Sequence, residues 1–514
     1  MYLLPFISGV LTVFAYPPFS IPVLPFVGLA PFIVWLDRPR AGREILLGGF
    51  AFAVPYFVGN IYWMFNLIRF TPAGWGGAIG SIAMHWITFF LFPIAVGVLR
   101  HHGRPPLALV VPCVWTISEH ARSYGDLAFP WVTLGYSLAE WPGALQHADV
   151  VGAYGISWWL AFVNAVVATL FTRRGDRAAV RTWGAALAAA LLIPAVYDWV
   201  RWRQVEHRIA DAPAIEISII QPNVAQSMKW NPASARSTLE RVNRLIAEAE
   251  DASPALVVAP EACLPLVQPL DSGRLPAEIV PGRSPLLIGV VTGLGEGDTR
   301  TVNGITVTTY ERHHNSAFLA DRDRTVLSRH DKQFLVPVTE QIPYRGVFGF
   351  LLPFYSKHFG RFQPAESLEL MELPGGRPAV AFGTLICYES LFPRLVSRMH
   401  GMGARFFVNI TNDAWFGRTT FPRQHAGFCA MRAIENRAAF VRSANTGIST
   451  FVDPLGRQRP RSEIFQEAVI TSTIPVLEGL TLYNRLGDVI LFLSYPAVAL
   501  FLALAWRDYR RASC

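Results

Sequence analysis

Three short segments carry the groups from which a covalent catalyst can be built. Leu256-Val257-Val258-Ala259-Pro260-Glu261 ends on a carboxylate, and His330-Asp331-Lys332-Gln333-Phe334-Leu335-Val336-Pro337 presents an amine. Gly383-Thr384-Leu385-Ile386-Cys387-Tyr388-Glu389-Ser390 presents a thiol. Each begins or ends in an apolar run, which puts the reactive group at a strand end. Together, a thiol nucleophile, a carboxylate base and an ammonium that steadies an oxyanion are the minimum for acyl transfer through a thioester. Singly they mean little, since a cysteine after a strand is most often a small buried hydrophobe. Cys113, Cys263, Cys429 and Cys514 form no CxxC spacing, hence neither a disulfide framework nor a zinc site. Cys263 follows Glu261 by two residues and, along a strand, shares its face.

The elements that must position these groups lie between residues 209 and 480. Strand-like runs occupy 215–220, 255–258, 286–291, 315–319, 379–386 and 405–410, with helical stretches at 233–251 and 421–435 between them. This alternation predicts an α/β domain, and the nearly continuous apolar strands predict sheets covered on both faces.

The rest of the chain is a different material. Of 514 residues, 52 % are hydrophobic and only 16 % charged, with a mean hydropathy of +0.31. A soluble domain carries about 25 % charge. Residues 2–36 lack charge and break at Tyr16-Pro17-Pro18-Phe19; further apolar runs fall near 45–66, 76–99, 105–122, 149–171, 182–200 and 489–506. That pattern predicts eight transmembrane helices, seven before the α/β domain and one after it. The formal net charge of +8 forms no stripe for nucleic acid. Arg38, Arg40, Arg43, Arg100, Arg104, Arg173, Arg174, Arg177, Arg181, Arg507, Arg510 and Arg511 instead fall in loops on one side. The positive-inside rule makes that side cytoplasmic, places both termini there and puts 201–486 outside. Glu119 and His120 fall near the outer end of the fifth span, facing lipid head groups, the outer domain or the interface.

The order Glu261, Lys332, Cys387 resembles the nitrilase, or carbon–nitrogen hydrolase, superfamily. The closer resemblance is to the apolipoprotein N-acyltransferase family of bacterial membranes. It is carried by Gln226-Ser227-Met228-Lys229-Trp230, Leu335-Val336-Pro337 with Glu340, Cys387-Tyr388-Glu389 and Asn412-Asp413-Ala414-Trp415-Phe416-Gly417. Gln424-His425, Met431-Arg432-Ala433-Ile434-Glu435, Arg442-Ser443 and Asn445-Thr446-Gly447 also match, as do Phe129-Pro130-Trp131 and Gly152-Ala153-Tyr154-Gly155 in the membrane part. The chain departs from the family's usual text at Ala259, His330, Phe334 and Val338-Thr339, none of which is a reacting group.

The resemblance implies an αββα sandwich at 209–480, following seven membrane helices in 1–208 and preceding the last helix and a cytoplasmic tail in 481–514. It implies a bacterial inner-membrane enzyme, its catalytic domain periplasmic, with no cofactor and no nucleic acid partner, and a monomer is compatible with it. Cys387 would take an acyl chain from the sn-1 ester of a phospholipid, phosphatidylethanolamine being the expected donor. The chain would then pass to the free α-amino group of a diacylated apolipoprotein. Glu261 would be the general base and Lys332 would hold the oxyanion with the Tyr388 N–H. Glu340 would orient Lys332, Tyr388 and Glu389 would shape the pocket, and Trp230 and Trp415 would contact substrate. A nearby ammonium also favours the thiolate at Cys387. The apolar stretch 347–355, with Phe350 and Leu351, reads as a lid over the acyl-enzyme. Two other readings use the same residues: a membrane-anchored amidase that ends on water, and a papain-like pairing of Cys387 with His330. A transporter or scaffold with a binding-only outer domain is a third.

Overall fold

Side chains alternate along Phe406–Thr411. Phe406, Val408 and Ile410 point into a core that also holds Phe382, Ile386, Ala439 and Val441. Opposite them in the same core stand Ile217, Ile219, Leu256, Val258, Leu287, Ala317 and Leu319, so two sheets meet face to face. The computed structural model describes residues 1–514 apart from 71–72, 103–104, 303–304, 338, 345, 347–348, 350–361, 376–378 and 514. Among these, one sheet runs Ala468–Pro475, Ala214–Gln221, Leu256–Val258, Leu286–Leu294, Arg312–Ala320, Val326–Asp331, and Val267–Pro269 also pairs with Leu286–Leu294. The other runs Gln458–Arg461, Thr450–Val452, Ala439–Ala444, Phe406–Thr411, Ala381–Ile386, Met371–Glu372.

Helices cover both outer faces. Pro232–Ala249 lays Leu239, Val242, Leu245 and Ile246 against Ile220, Val257, Ile288 and Phe318. Burial of each such side chain stabilises the fold by about 1.5–3 kcal/mol. On the second sheet, Cys429 of Phe421–Asn436 reaches Asn409, and the ring of His400 of Pro393–Gly401 lies tilted beside Phe407. The α/β reading therefore resolves into a helix–sheet–sheet–helix sandwich.

Strand direction sets where chemistry can occur. Leu256–Val258 is parallel to Leu286–Leu294, and two successive antiparallel pairings return Val326–Asp331 to that same direction. Ala381–Ile386, Phe406–Thr411 and Ala439–Ala444 are parallel to one another. Glu261, Lys332, Cys387, Asn412 and Asn445 each follow the carboxyl end of one of these strands.

The chain divides into two compact units, one of Met1–Met64, Ala78–Gln204 and Thr481–Cys514, the other of Phe65–Gly77 and Val205–Leu480. In the first, all eight apolar runs contain helix. Five helices in the described chain are long and apolar enough to cross a membrane: Gly42–Arg69, Gly74–His101, Ala148–Thr172, Arg177–Asp211 and Val489–Arg511. Leu3–Val13, Leu24–Leu36 and Leu107–Ala121 are shorter. Gly152 interrupts Ala148–Thr172 at φ +66°, and a side chain there would overlap the ring of Tyr483.

Glu119 and His120 are buried in this unit rather than open to lipid. Glu119 Oε1 accepts from Trp115 Nε1 at 2.8 Å and Leu134 N at 2.7 Å, and His120 Nδ1 meets the Tyr495 hydroxyl at 3.0 Å. In the second unit, Asn66 Nδ2 donates to Phe416 O at 3.0 Å and Phe70 packs edge-on to Trp415.

Candidate active site

Glu261 sits in a turn after Leu256–Val258, with Ala262 at φ +44°. Its carboxylate is held on both oxygens. Asn315 Nδ2 donates to Oε1 at 2.7 Å, and the Asn412 main-chain N–H donates to Oε2 at 2.7 Å. The turn crosses Gly289 so closely that a Cβ there would stand 2.5 Å from Glu261 Cα and from Pro260 O. Both obstacles are backbone and cannot swing aside. Gly289→Ala is therefore expected to displace Glu261 and slow substrate acylation of Cys387 by about 10- to 100-fold, since a shift of about 1 Å is enough for such losses. Single-turnover rates on purified enzyme check this.

Lys332 is buried, and two carboxylates close on it. Its Nζ donates to Glu340 Oε1 at 2.8 Å and lies 3.5 Å from Glu261 Oε1. Burial alone would strip its proton, but the charges of Glu340 and Glu261 outweigh that and hold the ammonium above the usual lysine range. Glu340 is fixed in turn by Val336 N at 2.8 Å and by Asn315 Nδ2 at 2.9 Å. Asn315 thus ties the two carboxylates together.

Cys387 begins the turn Cys387–Leu391 after Ala381–Ile386, at φ +51°. That is a left-handed conformation which a non-glycine residue holds only when its surroundings enforce it. Its carbonyl accepts from His425 Nε2 at 3.1 Å, Ser390 Oγ at 3.2 Å and Asn409 Nδ2 at 3.3 Å. Behind these lies a buried network: Asp413 Oδ1 faces His425 Nδ1 at 3.1 Å, and Arg442 Nη2 donates to Asp413 Oδ2 at 3.0 Å. Arg442 also donates to Asn409.

The expected thiolate is not the resting form. Burial and then the Glu261 charge push the Cys387 thiol above its ordinary range, against the opposing pull of Lys332. The ammonium's charge is already taken up by two carboxylates, so the thiol needs a base. Cys387 thus feels the charges of both Glu261 and Lys332.

Glu389 joins the nucleophile's turn to the lysine's loop. Its Oε2 accepts from Ile386 N at 2.8 Å and faces His330 Nε2 at 3.2 Å, while Oε1 accepts from Gln333 N at 2.6 Å. Burial would raise this acid, but His330 and the N–H donors keep it below the usual carboxylate range. His330 Nε2 therefore faces Glu389, a contact that a papain-like pairing through that nitrogen would have to give up. Tyr388 is buried with its ring edge-on to Phe392.

Trp230 is 39 % exposed, and Trp415 is half-buried in the turn Asp413–Phe416. Phe350 and Leu351, with most of the apolar 347–355 stretch, lie outside the described residues. Cys263 does not continue a strand, because the turn at Ala262 intervenes; its N–H donates to Gly289 O at 2.7 Å. Asn315, Asn412, His425, Asp413 and Arg442 were given no role by sequence reasoning. All but Asn315 stand in the family-like text, and Asn315 had only its place in a strand to announce it.

Residues 8–166 match the apolipoprotein N-acyltransferase N-terminal domain, and residues 217–479 match the carbon-nitrogen hydrolase family. The apolipoprotein N-acyltransferase of Geobacter metallireducens is 31 % identical, covering 98 % of this chain and 95 % of its own. That of Haemophilus influenzae is 28 % identical over 98 % and 94 %. Among solved structures, a mutant amidase from Nesterenkonia sp. AN1 aligns with 51 % of this chain and 90 % of its own at 17 % identity and a TM-score of 0.34. By full-length likeness to such relatives and by both domain matches, the chain belongs to the apolipoprotein N-acyltransferase family.

Proposed function

We propose that the protein moves an acyl chain from the sn-1 position of a phospholipid, phosphatidylethanolamine in the first instance, to the α-amino group of a diacylglyceryl-cysteine that begins an apolipoprotein. The observation that carries this reading is the buried Lys332 ammonium held between Glu261 and Glu340, with Asn315 across both carboxylates and the charges of Glu261 and Lys332 acting on Cys387.

In the first half-reaction Glu261 takes the thiol proton as Cys387 Sγ bonds to the ester carbonyl carbon. Lys332 and the Tyr388 N–H steady the oxyanion. The C–O bond then breaks, the leaving alkoxide receives the proton from Glu261, and a lysophospholipid departs. In the second, the amine nitrogen attacks the thioester, Glu261 accepts its proton, and the thiolate leaves and is reprotonated. The product is an amide and a triacylated lipoprotein. Exchanging a thioester for an amide is downhill, so no cofactor enters. Glu340 keeps Lys332 in place, Glu389 couples the two loops, and Trp230 and Trp415 meet the lipid. The eight apolar helices would then be spans of a bacterial inner membrane, both termini cytoplasmic and the α/β unit periplasmic.

The test is trapping. Enzyme incubated with phosphatidylethanolamine labelled in its sn-1 chain, without acceptor, is expected to accumulate hydroxylamine-sensitive label on Cys387. Addition of a diacylated peptide should move that label to the peptide's amino group. Release of free fatty acid at an unchanged rate, with or without the peptide, would point to hydrolysis instead.

A further inference from the structure

A second amine reaches the base, and the mechanism above leaves it idle. Lys229 is 3 % exposed although its neighbours Met228 and Trp230 are 38 % and 39 % exposed. The loop thus turns two apolar side chains outward and one cation inward. Lys229 Nζ donates to the main-chain carbonyl of Glu261 at 3.0 Å. The loop itself is pinned nearby, since Gln226 Oε1 accepts from Asn412 Nδ2 at 2.8 Å, and the N–H of Asn412 holds Glu261. Unlike Lys332, whose charge is matched by two carboxylates, Lys229 gives its hydrogen bond to a neutral oxygen.

Resting on the acyl-transfer reading, we propose that Lys229 is a positioning residue for the first half-reaction: it clamps the strained Glu261 turn and adds a positive charge that eases proton loss from Cys387. The clamp acts where it is needed, since Ala262 is left-handed and the turn presses on Gly289. The charge is conditional. Burial pulls Lys229 down to about 8, opposed by the groups that face it, Glu261, Cys263 and Cys387. Burial holds the Cys263 thiol up at about 12, and Cys387 is likewise raised, so both stay neutral while Lys229 titrates. Lys332 is raised and keeps its proton throughout. Of these groups Lys229 is the one that changes charge near pH 8, cationic below and neutral above.

The experiment follows acylation of Cys387 by labelled phosphatidylethanolamine with no acceptor amine present, in full-length enzyme, from about pH 6 to about pH 9.5. Wild type is expected to lose rate as pH rises through about 8. Lys229→Met should be about tenfold slower at neutral pH, with KM within about twofold and no fall at the alkaline end. Lys229→Arg should keep most of the rate and also stay flat, because a guanidinium does not titrate there. A role in packing alone would leave the alkaline fall in every variant that folds. A common alkaline fall in all three proteins overturns the proposal, as does a wild-type rate in Lys229→Met. Should Lys229→Met fail to fold, the arginine variant decides: a wild-type fall in it is equally fatal. Absence of label on the wild type overturns acyl transfer itself and this inference with it, whereas normal wild-type labelling with indifferent variants overturns this inference alone.

Discussion

Glu261→Gln is expected to slow acylation of Cys387 by about 10²- to 10⁴-fold, the usual worth of a general base. The case is strong because the thiol is not pre-ionised: burial and the Glu261 charge hold its proton on. The substitution keeps size and shape, so Asn315 Nδ2 can still donate to the side-chain oxygen. The other position then offers an N–H to the Asn412 N–H, where wild type has an acceptor at 2.7 Å. One buried donor pair is left unsatisfied, costing about 1–3 kcal/mol of stability. Activity and stability should therefore fall by separable amounts. Rate is read by single-turnover labelling at several lipid concentrations, stability by thermal unfolding in detergent. A folded variant that acylates within about tenfold of wild type would remove Glu261 from the role of base.

Lys332→Met ranks beside it. The methionine fills most of the volume but leaves the buried Glu261 and the part-buried Glu340 both bonded to the one amide of Asn315 and without the Lys332 ammonium. Removing one member of a buried ion pair costs about 3–5 kcal/mol. Loss of the oxyanion partner should slow acylation by about 10²- to 10³-fold. Lys332 is raised in the folded protein, so its contribution to stability is fully present below the unfolded lysine value and is lost only as pH climbs through the still higher folded value. Wild type should gain nothing from acidification through Lys332, while Lys332→Met should be steadied by it as an orphaned carboxylate takes up a proton. Adding Glu340→Gln to Lys332→Met should restore part of the melting temperature and none of the rate. Equal unfolding curves for wild type and Lys332→Met would contradict the buried cluster.

What the amino acids disclosed by themselves was unequal across the molecule. Glu261, Lys332 and Cys387 stood out through their order and surrounding text, which resemble the carbon–nitrogen hydrolase superfamily, and the strand runs at 215–220 through 405–410 reappear as strands. Asn315 was not legible. It opposes the lysine's strand through antiparallel pairing, Ser316 facing Asp331, and such proximity exists only after the sheet has formed. Lys229 was hidden differently, since a lysine between two exposed apolar residues reads as solvated. The pull of Lys332 on the Cys387 thiol was legible, but not the burial and the Glu261 charge that outweigh it. Span number was only partly legible: apolar composition marks burial in lipid or protein alike, and Leu3–Val13 and Leu107–Ala121 are shorter than a bilayer is thick.

The notch at Gly152 bears on how the chain is made. Tyr483 fills it, buried, with its hydroxyl on Asp488 at 3.1 Å, just before the helix Val489–Ser513 that packs against Leu107–Ala121. The early helices thus leave the ribosome with an unfilled socket, and the plug is translated only after the whole α/β unit. A product released prematurely would carry an open defect among its apolar helices.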